Sequence, residues 1–391
     1  MKADNQKFQW KNVIIVSGAH LIHDVFTSFL APVLPLLIDK FSLSYLNSSI
    51  LNVVRKAPSL LSLGLGSLIN KLHNKHLHYL LVITPLITSI FMSLMGVVPS
   101  YIWLLVILLL VGVSGSIFHI LAPTVIKKVS GNQLGKGISL YQLGGEAART
   151  IGPLVILGAL SIWGLEGSYR LISVGIIVSL FLYWIIKNIN IPNLGKTSES
   201  SAFKTIIKII KRHYNFVLKL GGIKFFWNLA KISLTLFLPT YLKTVKGISL
   251  WFSGGALSIL QLSGAVGTYL GGVISDKIGR KKTIFVVIII AAFSLELFSL
   301  SHDWILIPFL IISGFCLYAI NPIILAIKKK KSTDYLIEIN GFYKTINFIS
   351  SAAATLIIGK IADVIGLALI YHVIPIGLLI SVIIILKLKS N

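Results

Sequence analysis

The sequence predicts an all-α membrane protein of twelve transmembrane helices arranged as two six-helix pseudo-repeats. Three observations predict it. Of the 391 residues, 55% are hydrophobic and 12% charged, and the mean hydropathy is +0.88, too apolar a composition for a chain whose main solvent is water. The apolar residues gather into twelve runs, each close to the roughly 20 residues that cross a hydrocarbon core about 30 Å thick. A short polar loop recurs after the second run of each half, which marks a repeat.

The first six runs lie near residues 12–38, 46–69, 77–97, 101–126, 138–162 and 169–187. A stretch with Asn, Pro, Gly, Ser and Thr follows, and then a basic amphipathic segment, 202–213, expected to lie on the membrane surface. The second six lie near 216–242, 250–275, 283–301, 304–327, 339–361 and 367–387. The chain thus divides into an N-terminal half, 1–187, a cytoplasmic linker, 188–215, and a C-terminal half, 216–391. The first run is too long for a cleavable signal peptide and has no small-residue cleavage site, so it is read as a span.

A net charge of +24 would suggest nucleic acid in a soluble protein. Here the Lys and Arg residues sit in short clusters between apolar runs, so they are topology signals and no nucleic-acid partner is expected. With both termini cytoplasmic, only Lys40, Arg170, Lys243, Lys246 and Lys360 of the 36 basic residues fall in outer loops, the asymmetry of a multi-pass inner-membrane protein. Trp10, Trp103, Trp163, Trp184, Trp251 and Trp304 lie near span ends, as interfacial belts require. Trp227 lies inside span seven. Cys316 is the only cysteine, which leaves helix packing, not disulfides, to hold the fold.

The loop after span eight, Gly272-Val273-Ile274-Ser275-Asp276-Lys277-Ile278-Gly279-Arg280-Lys281-Lys282, resembles the cytoplasmic loop signature of the major facilitator superfamily. Its glycines permit a tight turn and close helix approach, and Asp276 is expected to meet a helix N-terminus or a cation. Gly272, Asp276, Gly279, Arg280 and Lys281 therefore read as a conformational latch. The loop after span two has Asn70 in place of the acid and His73 in place of glycine, so a latch there should be weaker or absent.

The N-terminal half also carries Gly18-Ala19-His20-Leu21-Ile22-His23-Asp24 leading to Leu34-Pro35, then Gly112 to His119, Ser130-Gly131, and Tyr141-Gln142 with Gly144-Gly145 leading to Gly152-Pro153. This set is similar to the fosmidomycin-resistance branch of the superfamily. The resemblance implies proton-driven export of small molecules, with an anionic phosphonate as the namesake substrate. Glu146 and Arg149 stand where uncharged residues are expected in the namesake, so its substrate is not carried over.

Independently of any resemblance, an ionisable side chain inside a span costs about 3 kcal/mol on insertion scales and usually faces a wet cavity. The candidates are Asp24, Arg55, Glu146, Arg149, Lys224, Lys231 and Lys344. Bases outnumber acids among them, which favours an anionic or partly anionic substrate. His20 with Asp24, and Glu146 with Arg149, each share a helix face. With His23 they form the candidate proton-coupling set, to be weighed against permanently neutralised structural pairs. Lys224, Asn228 and Lys231 form a polar stripe on span seven beside Trp227. Together with Arg55, Arg149, Lys344, His119 and Gln142 they are the candidate substrate contacts, although Lys224 near the cytoplasmic end also fits a snorkelling side chain. Glu296 is assigned no transport role.

These readings point to a secondary transporter, a monomer in the bilayer, exporting a small anionic or amphipathic compound against protons by alternating access. Uptake of an organic anion by proton symport is the alternative, and a haem- or metal-binding redox protein using His20, His23 and His119 a remote one. No nucleotide-binding loop, nucleophile–base pair or Cys/His metal spacing is present in the sequence, so neither an enzyme nor a cofactor is expected.

Overall fold

The computed structural model describes residues 7–62, 65, 66, 69, 74–187, 214–331 and 336–386, with side chains undescribed at 74, 75, 214–220, 325–331 and 336–346. The linker, most of the loop after span two and the side chain of Lys344 lie outside the described residues.

Span one is two helices, α1 (Trp10–Thr27) and α2 (Leu30–Phe41). Span two begins as α3 (Tyr45–Lys56), and spans three to six are α4 (Asn74–Ser93), α5 (Tyr101–Val129), α6 (Leu134–Trp163) and α7 (Leu171–Ile186). Span seven is again two helices, α8 (Tyr214–Thr235) and α9 (Leu238–Thr244). The rest are α10 (Leu250–Ile278), α11 (Arg280–Leu300), α12 (Leu306–Lys331), α13 (Leu336–Ile365) and α14 (Leu367–Leu386).

Both interruptions have one cause. Proline lacks the amide proton and its ring clashes with the carbonyl four residues before it. Pro32 stands four residues after Ser28, where α1 has just ended, and Pro239 stands four residues after Thr235, the last residue of α8. Each proline then occupies the first turn of the next helix, where no amide is missed. Interrupted spans at matching positions of two halves are the mark of a transporter's binding region.

Contacts divide the chain into two compact units, Met1–Leu37 with Val54–Glu199, and Ile38–Val53 with Ser200–Asn391. In the first, α1 packs most extensively on α6, and α4 on α5 and α7. In the second, α8 packs on α13 and α14, α11 on α12 and α14, and α10 on α12. Span one on five matches seven on eleven, and three on six matches nine on twelve, so the two units repeat one plan. The outer faces are apolar as lipid demands: Ile177, Leu180, Phe181 and Trp184 of α7 are each more than 60% exposed.

Residues 38–53 group with the second unit and make polar contacts within it. The Asp363 carboxylate accepts from the amides of Tyr45 (2.7 Å) and Leu46 (3.1 Å), capping the start of α3 as anions do at helix N-termini. Ser49 donates to the Thr355 carbonyl (2.8 Å), and Lys243 Nζ lies 2.8 Å from Asp39. Nearby, the Lys246 ammonium donates to the carbonyls of Ser299 and Ser301, and partial burial lowers its pKa from the ordinary lysine value.

In the loop after span eight, Gly279 ends α10 at φ +95°, a backbone conformation that favours glycine. Asp276 meets Arg280 at 3.7 Å, a pair local to the motif, and Lys281 donates to the Leu386 carbonyl at 3.3 Å. A Cβ added at Gly272 would stand 4.0 Å from Pro322 Cβ of α12, so this glycine is not required by close packing.

Candidate functional site

Glycines bring α1 against α6. A Cβ at Gly144 would stand 2.4 Å from the Ser17 carbonyl oxygen, one at Gly145 2.4 Å from His20 Cε1, and one at Gly152 2.6 Å from the Val25 oxygen. Only glycine allows backbones this close. The approach carries His20, His23 and Asp24, one helical turn of polar residues, into the interior of the first unit, where all three are buried.

Asp24 is surrounded by imidazoles. His23 Nδ1 lies 3.0 Å from Oδ1, His119 Nε2 of α5 3.4 Å from the same oxygen, and His20 Nε2 3.3 Å from Oδ2. Two of the rings are also held from their far sides. The Thr88 hydroxyl lies 3.2 Å from His23 Nε2 and 3.1 Å from Ser114, whose own proton goes to the Thr84 carbonyl (2.7 Å). An ionised carboxylate only accepts, so His23 donates from Nδ1 to Asp24. His20 Nδ1 faces the Tyr141 carbonyl at 2.8 Å and donates to it, while its Nε2 faces a second acceptor, the Asp24 carboxylate. Stacking fixes both rings: His20 lies on Tyr141 with centroids 4.0 Å apart, and His23 on Phe118 at 4.5 Å. The Arg55 guanidinium, which donates to the Thr27 carbonyl at 2.7 Å, acts on Asp24 through space.

A second arrangement lies along α6. Arg149 reaches Glu146 Oε1 at 3.0 Å and also donates to the Gly145 carbonyl. Glu146 Oε2 is buried and has no hydrogen-bond partner among the described residues. Gln142, four residues before Glu146 on the same face, is exposed and does not join the imidazole cluster.

The second unit carries a cationic cluster on α8. Lys224, 1% exposed, donates to Asn321 Oδ1 at 2.5 Å and stands 3.8 Å over the Trp227 ring. It is buried against its neighbours and does not snorkel. Lys231 stands 4.9 Å over the same ring and 4.5 Å over Tyr318, whose hydroxyl donates to Gln261 Oε1 at 2.6 Å. Trp227 is anchored by its Nε1–H on the Leu317 carbonyl, and the buried Asn228 Nδ2 has no hydrogen-bond partner among the described residues. Glu296, given no role from sequence, pairs with His372 at 2.8 Å beside Ser299, away from these clusters.

Sequence reasoning named the charged members and missed the uncharged polar residues that orient them: Thr88, Ser114, Gln261, Asn321 and the Tyr141 carbonyl. The first four are polar side chains inside apolar runs, a signal that a search confined to ionisable groups passes over. That search also set His119 apart from Asp24, because the two lie on different spans.

Two helical units built on one plan, each with an interrupted leading span and buried charges, define a polytopic membrane transporter. The chain belongs to the Major Facilitator Superfamily, whose family model matches residues 16–330 and 257–390. It is 25% identical over 365 residues to the fosmidomycin resistance protein of Escherichia coli (strain K12), spanning 92% of this chain and 88% of that protein. Among solved structures it is similar in fold to a bacterial homologue of the human lysosomal transporter Spinster (TM-score 0.81, 14% identity, 97% of this chain and 96% of that one). A D-xylose–proton symporter is also similar (TM-score 0.77, 13% identity, 98% of both chains).

Proposed function

We propose that this transporter exports a small organic anion in exchange for protons, by alternating access. The observation that carries the reading is the Glu146–Arg149 pair, whose Oε1 is held by the guanidinium and whose Oε2 is buried without a hydrogen-bond partner among the described residues. A buried polar atom left unsatisfied is rare and marks a place where another group binds. An arriving anion engages Arg149 in the bidentate manner its planar fork suits. A hydrogen-bond donor on the same substrate meets Glu146 Oε2, which accepts only while the carboxylate is ionised. A proton on Oε2 takes that place, so substrate and proton exclude each other. The 25% identity to a resistance protein supports the outward direction. The cluster of Lys224, Lys231 and the Asn228 amide supports an anionic substrate, because it offers two charges and a donor beside an aromatic face.

The test is Glu146→Gln in proteoliposomes, with the probe anion chosen from fosmidomycin and simple phosphonates and carboxylates by which most raises the melting temperature of the purified protein. The variant should lose proton-driven transport and keep substrate exchange. Retention of proton-driven transport at the wild-type rate removes Glu146 as the coupling residue.

A further inference from the structure

We propose that His20, Asp24 and His119 bind a divalent transition-metal ion of the borderline class, Zn2+, Co2+ or Ni2+. The site goes beyond the transport reading and does not rest on it. One donor atom from each residue lies within 4.8 Å of the other two, and the carboxylate is approached at 3.3 Å by His20 Nε2 on Oδ2 and at 3.4 Å by His119 Nε2 on Oδ1. Ligands about 2.1 Å from a tetrahedral ion stand roughly 3.4 Å apart, so the set is close to coordinating spacing with little movement.

The ring contacts make the same case. His20 faces an acceptor with each nitrogen, the Tyr141 carbonyl with Nδ1 and the Asp24 carboxylate with Nε2. Nε2 and the carboxylate oxygen repel unless a proton or a metal ion lies between them. A single proton would satisfy one donor–acceptor pair, whereas here a second imidazole, His119, is aimed at the same carboxylate from a different helix. Three protein ligands around one point are the requirement of a metal ion with an open fourth position. The His119 side chain is 46% exposed, which leaves that position open to water or to an anion.

The surrounding residues have the form that orients metal ligands: a ligating His donates its other N–H to a carbonyl, and a ligating carboxylate is itself hydrogen-bonded. His20 Nδ1 donates to the Tyr141 carbonyl, His23 donates to Asp24, and Thr88 fixes His23 in turn. With both its nitrogens engaged, His23 is a supporting residue and not a ligand. Two imidazoles select Zn2+, Co2+ or Ni2+ over Mg2+ and Ca2+, which prefer all-oxygen sites. The Arg55 charge opposes the ion and lowers its affinity, so Arg55→Gln should tighten binding.

The experiment uses full-length protein without a histidine tag, in detergent, titrated with Co2+. The expected result is one equivalent per chain with visible d–d bands of a four-coordinate site, and X-ray absorption of the Zn2+ form showing about two imidazoles. His119→Ala and Asp24→Asn should each weaken binding by at least about tenfold, while Glu296→Gln, at the other His–carboxylate pair, leaves it unchanged. The proposal is overturned if wild type shows no saturable equivalent, or if His119→Ala and Asp24→Asn bind as wild type does. Should either variant misfold, the ligand count on wild-type protein decides: absence of imidazole from the Zn2+ shell overturns the assignment.

Discussion

Lys224 and Lys231 are seven residues apart on α8 and flank the ring of Trp227 at 3.8 and 4.9 Å. A cation over an indole face is attracted by the ring quadrupole, which keeps both ammonium groups in the protein interior despite the cost of burial. Lys231 is the less buried of the two and the better placed to meet a ligand. Charge-assisted hydrogen bonds contribute about 1.5–3 kcal/mol, so Lys231→Gln should weaken anion affinity by about tenfold or more, followed as quenching of Trp227 fluorescence with the other tryptophans replaced by Phe. Affinity unchanged by the substitution would remove Lys231 from the substrate contacts. Much of this was legible in the sequence, because a lysine inside an apolar run is costly wherever it lies. What each lysine touches was not, since Asn321 and Tyr318 stand about 90 positions away on α12.

At the scale of elements, prolines set where helices stop and glycines set which helices meet. The breaks after Thr27 and Thr235 each precede a proline, yet spans one and seven read as single apolar runs because hydropathy does not register a lost amide. The glycines of α6 read as a weak mark of export from sequence. Their physical role is the contact with α1, where Gly144 meets the Ser17 carbonyl and Gly145 the His20 ring. Gly144→Ala should therefore cost about 1–3 kcal/mol as an overpacked contact and lower the melting temperature in detergent. Gly158→Ala, with open space around its Cβ position, should leave it unchanged or raise it. Equal melting temperatures for the two variants would refute the close-approach argument. In the second unit Gly267 plays the corresponding part, its Cβ position lying 2.1 Å from the Phe315 carbonyl oxygen of α12.

For the whole molecule, twelve apolar runs, the position of the linker and the recurring loop were enough to predict the superfamily fold. Chain order and contacts divide the chain differently at one place: residues 38–53, within the N-terminal half by chain order, group with the second unit by contacts. Among their contacts is Asp363, more than 300 positions away, whose carboxylate caps α3, and no local pattern announces such a contact. The function proposed for this fold is proton-driven outward movement of an anion. The direct test is proteoliposomes loaded with the anion that stabilises the purified protein, followed for efflux as the outside is made acidic. Antiport predicts that the inward proton gradient accelerates anion efflux and that collapsing the gradient with an ionophore abolishes the acceleration. Anion uptake driven by the same gradient, or efflux indifferent to it, would contradict the account.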